Sequence, residues 1–139
     1  LSCTPLFKAE PHVFIGKNSP LAKKKYLTLE DLKPYPRLSY EQGSHNSFYF
    51  AEEILSPVDC DKELVVLDRA TLFNMLIGLD GYTICSGVIN EELNGPNIIA
   101  KKLKVDDYME IGYILPLSIH PSHLTSEYID ILKSLTKKK

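Results

Sequence analysis

Residues 63–85 read E-L-V-V-L-D-R-A-T-L-F-N-M-L-I-G-L-D-G-Y-T-I-C. Glu63–Leu67 is a continuous apolar run of the kind buried on both faces of a parallel sheet. Asp68 follows as an N-cap, and Leu72, Phe73, Leu76 and Ile77 then recur at helical spacing. Gly78 and Gly81 bracket the helix end. Tyr82–Cys85 is a second short buried strand, and Ser86-Gly87 makes the turn after it. Strand, helix and strand in such close order predict an α/β fold with a mostly parallel sheet flanked by helices.

The pattern extends on both sides. Upstream, His12–Lys17 is a strand, followed by a loop at Asn18-Ser19-Pro20. Thr28 caps a short helix that Pro34 and Pro36 stop. Arg37–Glu41 is another strand, Gln42–Ser47 a polar strand-to-helix loop, and Ser47–Leu55 a helix with Phe48, Ala51 and Leu55 on one face. Downstream, Asn97–Leu103 and Met109–Leu115 are strands, the second with period-two alternation. A final helix runs from about Ser122 to Leu135. Its Leu124, Tyr128, Ile131, Leu132 and Leu135 form one apolar stripe.

Composition narrows the function classes. The chain has 139 residues, 44% of them apolar, with 16 basic and 18 acidic side chains for a net charge of −2. A balanced charge, with Arg37 and Arg69 as the only arginines, argues against a domain that grips nucleic acid through its field. No apolar run approaches the ~20 residues of a membrane helix. Leu1–Lys8 lacks the basic start and apolar block of a signal peptide. Cys3, Cys60 and Cys85 are odd in number and widely spaced, which fits reduced thiols better than a disulfide framework or a zinc site. A cytoplasmic protein without a membrane anchor is expected.

Little in the chain suggests catalysis. There is no phosphate-binding or dinucleotide glycine motif and no nucleophile elbow. Glu52-Glu53, Glu91-Glu92 and Asp106-Asp107 are sequence neighbours, better explained as solvated faces than as converging acid pairs. His120 and His123 lack an acidic or cysteine partner nearby and fit a polar helix start. No catalytic residue, metal or cofactor is expected. The suggestive segment is Gln42-Gly43-Ser44-His45-Asn46-Ser47, a polar glycine-containing loop entering a helix, where free N–H groups favour a carboxylate or phosphate. On spacing alone, ordinary capping by Asn46 or Ser47 explains it equally well. Ser86 and Gly87 lie at a neighbouring strand end, where open α/β sheets bind ligands.

Pro11–Leu135 resembles the effector-binding part of LysR-type transcriptional regulators. The resemblance is carried by Val13–Gly16, Asn18-Ser19-Pro20-Leu21-Ala22, Leu27-Thr28-Leu29-Glu30-Asp31-Leu32, Tyr35-Pro36 and Leu38–Ser44. Ser19 stands where the family usually has His, and the usual Gly-x-Gly is altered. Gly78–Ile84 looks instead like the branch that includes regulators of sulfur amino-acid metabolism. The resemblance implies one lobe of a type II periplasmic-binding-protein-like fold, with ligand in the cleft between lobes. The chain then corresponds to a partial effector domain. Its second lobe spans about 11–119, and a return helix over about 120–136 would pack on a first lobe expected, with a helix-turn-helix, before Leu1.

The function implied is sensing of a small, anionic metabolite to control DNA binding by that N-terminal domain. The effector-contacting residues would be Gln42, Gly43, Ser44, His45, Asn46, Ser47, Ser86 and Gly87. The alternative is a solute-binding protein of a transport system, which shares the fold. An apolar stripe on the final helix, left without its lobe, predicts a homo-oligomer with Tyr128 and Leu132 in the contact.

Overall fold

The computed structural model describes residues 1–41 and 60–136. The expected loop Gln42–Ser47 and helix Ser47–Leu55 lie outside the described residues. The stretch that opens the βαβ reading folds as strand β4 (Glu63–Val66), helix α2 (Arg69–Gly78) and strand β5 (Tyr82–Cys85). Before it come β1 (Ser2–Ala9), β2 (His12–Gly16), a 3-10 turn η1 (Pro20–Lys23), α1 (Leu29–Leu32) and β3 (Arg37–Tyr40). After it come α3 (Glu91–Asn94), β6 (Ile98–Lys102), β7 (Met109–Leu115) and α4 (His123–Thr136).

Local chemistry fixes the helix starts. The Asp68 carboxylate accepts from the Thr71 N–H at 2.8 Å and the Thr71 hydroxyl at 2.7 Å, capping α2. The Asp31 carboxylate accepts the Thr28 N–H at 3.0 Å at the start of α1. Ser122 Oγ accepts the Thr125 N–H at 3.2 Å ahead of α4. Beyond α2 the left-handed residue is Asp80, at φ 52°. Gly81 serves a different need, because a side chain there would run into Leu38 and the Pro36 carbonyl.

The chain forms two compact units. The larger, Glu10–Tyr108, holds a five-stranded sheet in the order β4-β3-β5-β2-β6. The sheet is mixed, not mostly parallel. β3 pairs parallel with β4 and β5, whereas β2 pairs antiparallel with both β5 and β6. β2 is reversed because the chain turns at Gly16 through η1 and α1 and re-enters at Arg37, level with Tyr82, without crossing the sheet. A buried Val-Phe-Ile run looks the same in a central strand of either direction. Leu27 bridges to Leu103 on the far side of β6.

Period two divides the core between the sheet's faces. Val13, Ile15, Tyr82 and Ile84 point to one face, where Leu21 of η1, Leu32 of α1, Leu27 and Leu103 cover them. Phe14, Leu38, Val66 and Ile98 point to the other, under Leu72 and Leu76 of α2. Each buried leucine contributes about 1.5–3 kcal/mol relative to exposure. The expectation that Glu63–Leu67 is buried on both faces fails. β4 is the edge strand of the described sheet, and Val65 is 59% and Leu67 81% exposed.

The smaller unit comprises Leu1–Ala9 and Met109–Lys139. β1 and β7 form an antiparallel pair with an irregularity between Pro5 and Phe7, and α4 packs on β1. This unit begins its second segment at Met109, where β7 pairs with β1. Met109, Ile111, Tyr113 and Leu115 alternate with more exposed residues, as period two requires. On α4 the inward row is Thr125, Ile129, Leu132 and Thr136, while Leu124, Tyr128, Ile131 and Leu135 remain exposed. Leu132 thus sits with the inward row, half-buried, and not in the outward stripe.

Candidate functional site

The strand directions bring specific residues to one edge of the five-stranded sheet. β3, β4 and β5 are parallel, so their carboxyl ends at Tyr40, Val66 and Cys85 lie together. β2 runs the other way and starts at this edge, with His12 in register with Cys85 on one side and Lys102 on the other. The N-terminus of α2 follows directly from β4. Loops leaving such an edge are where open α/β sheets take up ligands.

Of the residues expected to contact an effector, Ser86 and Gly87 stand at this edge, half-buried, immediately after β5. Gln42, Gly43, Ser44, His45, Asn46 and Ser47 lie outside the described residues. The last residue before them, Glu41, donates its N–H to the Val66 carbonyl at 2.9 Å, so the chain leaves β3 at the same edge.

The Ser86-Gly87 turn is held by its neighbours. Gly87 has φ 77°, and its missing Cβ would lie 2.5 Å from Cγ of His12. Cys85 Sγ lies 3.7 Å from the His12 carbonyl oxygen, which can only accept, so the thiol is the donor. Burial, the largest influence, pushes the Cys85 thiol up to about 12 despite backbone N–H groups from Gly87 and Phe14 directed at the sulfur. It is therefore a neutral structural thiol and not a nucleophile. Nearby, Lys102 pairs with Glu10 at 2.5 Å and holds the Glu10 carboxyl below its usual range, mainly through that hydrogen bond.

His12 was absent from the sequence reading of the site. A histidine at a strand start carries no motif; its relevance comes from pairing with Cys85, which is 73 residues away in the chain. The two arginines take different roles. Arg37 is fully buried in β3, and the Arg69 guanidinium lies 5.2 Å from the centre of the Phe73 ring. Asp68 is occupied in capping, as its sequence position suggested.

A cavity of about 410 Å³ opens at the opposite edge, lined by Lys17, Asn18, Ser19, Asp80 and Asn97 among others. None of the expected effector residues lines it. Cys3, Cys60 and Cys85 are thiols. Among the described residues, no group of three or more His, Cys, Asp or Glu side chains could hold a metal, and no helix is long and apolar enough to cross a membrane.

Comparison with solved structures gives the fold a relation. The effector-binding domain of QuiR, solved in complex with shikimate, matches at TM-score 0.68 and 19% identity, over 99% of this chain and 66% of that one. HinK, a LysR family transcriptional regulator from Pseudomonas aeruginosa, matches at TM-score 0.70 and 12% identity, over 97% of this chain and 47% of that one. The regulatory domain of MetR, a LysR family regulator from N. meningitidis, matches at TM-score 0.63 and 15% identity, over 96% and 65%. This is the fold of LysR-type effector-binding domains. It is α/β and like that of the periplasmic binding proteins, as the sequence motifs implied. The chain spans just under two thirds of the QuiR and MetR chains and about half of the HinK chain. No family model matches the sequence, and no curated protein matches it significantly in sequence.

Proposed function

We propose that this chain is the ligand-sensing part of a LysR-type transcriptional regulator, binding a small anionic metabolite that controls DNA binding by an N-terminal helix-turn-helix. The observation that carries the reading is the likeness to regulator effector domains over nearly all of this chain, joined to the strand edge where Ser86 and Gly87 stand. QuiR's domain was solved with shikimate, a carboxylate, and the same class suits this site. The role is regulatory, not enzymatic, and its setting is the cytoplasm. The branch is the one suggested by Gly78–Ile84, of sulfur amino-acid regulators.

In this reading Glu10–Tyr108 is the second lobe, and the unit of Leu1–Ala9 with Met109–Lys139 belongs to the first. Gln42, Gly43, Ser44, His45, Asn46 and Ser47 face the ligand together with Ser86 and Gly87. The exposed row Leu124, Tyr128, Ile131 and Leu135 pairs with a second copy of the chain, because an uncovered apolar row favours burial. A ligand that binds one lobe arrangement better than another shifts the population between them.

The test is calorimetry on the full-length protein with a panel of small carboxylates. Binding that Ser44→Ala together with Asn46→Ala weakens by about tenfold or more, the loss of one or two charge-assisted hydrogen bonds, supports the assignment. Unchanged affinity in the double variant would remove the loop from the site.

A further inference from the structure

We infer that His12 is a ligand-contacting residue of this strand edge, offering its Nε2 beside the Ser86-Gly87 turn to a small carboxylate. The inference rests on the reading of that edge as the effector site, and it adds a residue and a pH dependence to it.

The ring's orientation is set by two neighbours. Nδ1 lies 2.8 Å from the Glu10 carbonyl oxygen. A carbonyl only accepts, so Nδ1 carries the hydrogen. In the neutral ring Nε2 is then an acceptor, and in the protonated ring it is a donor. Gly87 lies against the base of the ring: its missing Cβ would be 2.5 Å from Cγ, 2.6 Å from Nδ1 and 2.9 Å from Cδ2. Nε2 is not among the nearest atoms, and among the described residues it has no hydrogen-bond partner. The arrangement fixes one side of the imidazole and leaves the other nitrogen for a ligand.

Among the described residues, the charged and titratable neighbours of the ring are Glu10, Lys102, Cys85 and Arg69. From the preceding segment, Glu10 is held as a carboxylate by its pair with Lys102 of β6, and the two charges offset each other. From β5, the Cys85 thiol stays protonated and donates to the His12 carbonyl. From α2, Arg69 acts on Cys85 as a permanent positive charge. A protonated ring presents a charged donor at Nε2 beside the turn, and a charge-assisted hydrogen bond to an anion is stronger than a neutral one. By linkage, the bound anion favours the protonated ring.

Two substitutions separate the ring's two nitrogens. His12→Asn can keep the bond to Glu10 from its short amide but has no group at the Nε2 position. His12→Gln places a neutral amide near Nε2. The experiment titrates the 139-residue chain with shikimate and, separately, acetate, at about pH 6 and about pH 8, the range across which imidazole changes charge. Affinity is read by calorimetry, and binding by the Ser86 and Gly87 amides and the His12 ring nitrogens in NMR spectra.

The expected result is binding about tenfold tighter at the lower pH, with a shift at His12 Nε2. His12→Asn should lose most of the affinity, whereas His12→Gln should keep measurable binding and lose the pH dependence. If Ser86 and Gly87 respond but the ring nitrogens do not, and both variants bind like the parent, His12 is not a contact and the site reading survives. If neither probe moves Ser86, Gly87 or His12 at either pH, the carboxylate-site reading fails and the His12 inference with it.

Discussion

Gly87 and His12 occupy adjoining space so closely that a Cβ on Gly87 would lie 2.5 Å from His12 Cγ. Gly87 also has φ 77°, a conformation that L side chains adopt only with strain. Gly87→Ala should therefore lower stability by about 1–3 kcal/mol and displace the imidazole from its bond to Glu10. Denaturant unfolding measures the first effect, and the His12 ring resonances report the second. An unchanged ring environment would mean that the turn yields instead.

Gly81 presents a purely steric case. A side chain there meets Leu38, fully buried beneath α2, and lies 2.9 Å from the Pro36 carbonyl oxygen. Neither neighbour is a flexible surface end. Gly81→Ala should cost about 1–3 kcal/mol by overpacking, read as a lower denaturation midpoint. Gly95 offers an internal comparison, since its Cβ would meet nothing within 4 Å although its φ is 71°. A loss at Gly95→Ala isolates backbone strain from crowding.

These two glycines mark how far the sequence could be read. The turn at Ser86-Gly87 and the helix end near Gly81 are visible as punctuation, and the strands and caps around them follow from apolar runs and polar starts. The neighbours that make each glycine necessary come from distant segments, Leu38 and His12, and no local pattern announces them. β1 was missed because Pro5 interrupts a run that otherwise alternates, and the break is absorbed by the irregularity between Pro5 and Phe7. α3, with four residues, rests on Asn90, whose side chain accepts from Glu92 and Leu93. The antiparallel direction of β2 leaves no local trace, because a strand buried on both faces has the same composition whichever way it runs. The outward stripe of α4 was read correctly except at Leu132, which lies close enough to the boundary of the two rows to fit either.

Acid should weaken the caps in a defined order of sign. Asp68 is held below its usual range by the Thr71 N–H, and Asp31 by Lys24 and the Thr28 N–H. A carboxylate whose folded pKa is depressed stabilises the fold fully above its unfolded pKa, and that contribution disappears as pH falls through the lower folded value. Asp68→Asn should thus differ from the parent near neutrality, and the difference should shrink below about pH 4, the ordinary carboxylate range. Thermal unfolding across pH provides the check.

On α4 the two rows should behave oppositely. Ile129 is 8% exposed, and Ile129→Ala should cost about 2 kcal/mol or more. Tyr128 and Ile131 are exposed, so Tyr128→Asp and Ile131→Asp should leave the unfolding of a single chain almost unchanged and reduce self-association. Light scattering over a range of concentrations decides the second point. A parent protein that stays monomeric throughout would remove the proposed contact between copies.

The central claim is that the edge formed by the ends of β3 and β5 and the start of β2 receives a small anion. The most direct measurement is an amide NMR titration of the chain with a panel of small carboxylates that includes shikimate. The account predicts saturable shifts at Ser86 and Gly87, with the opposite edge at Lys17, Asp80 and Asn97 unmoved. Saturable shifts confined to that opposite edge, where the cavity lies, would contradict it.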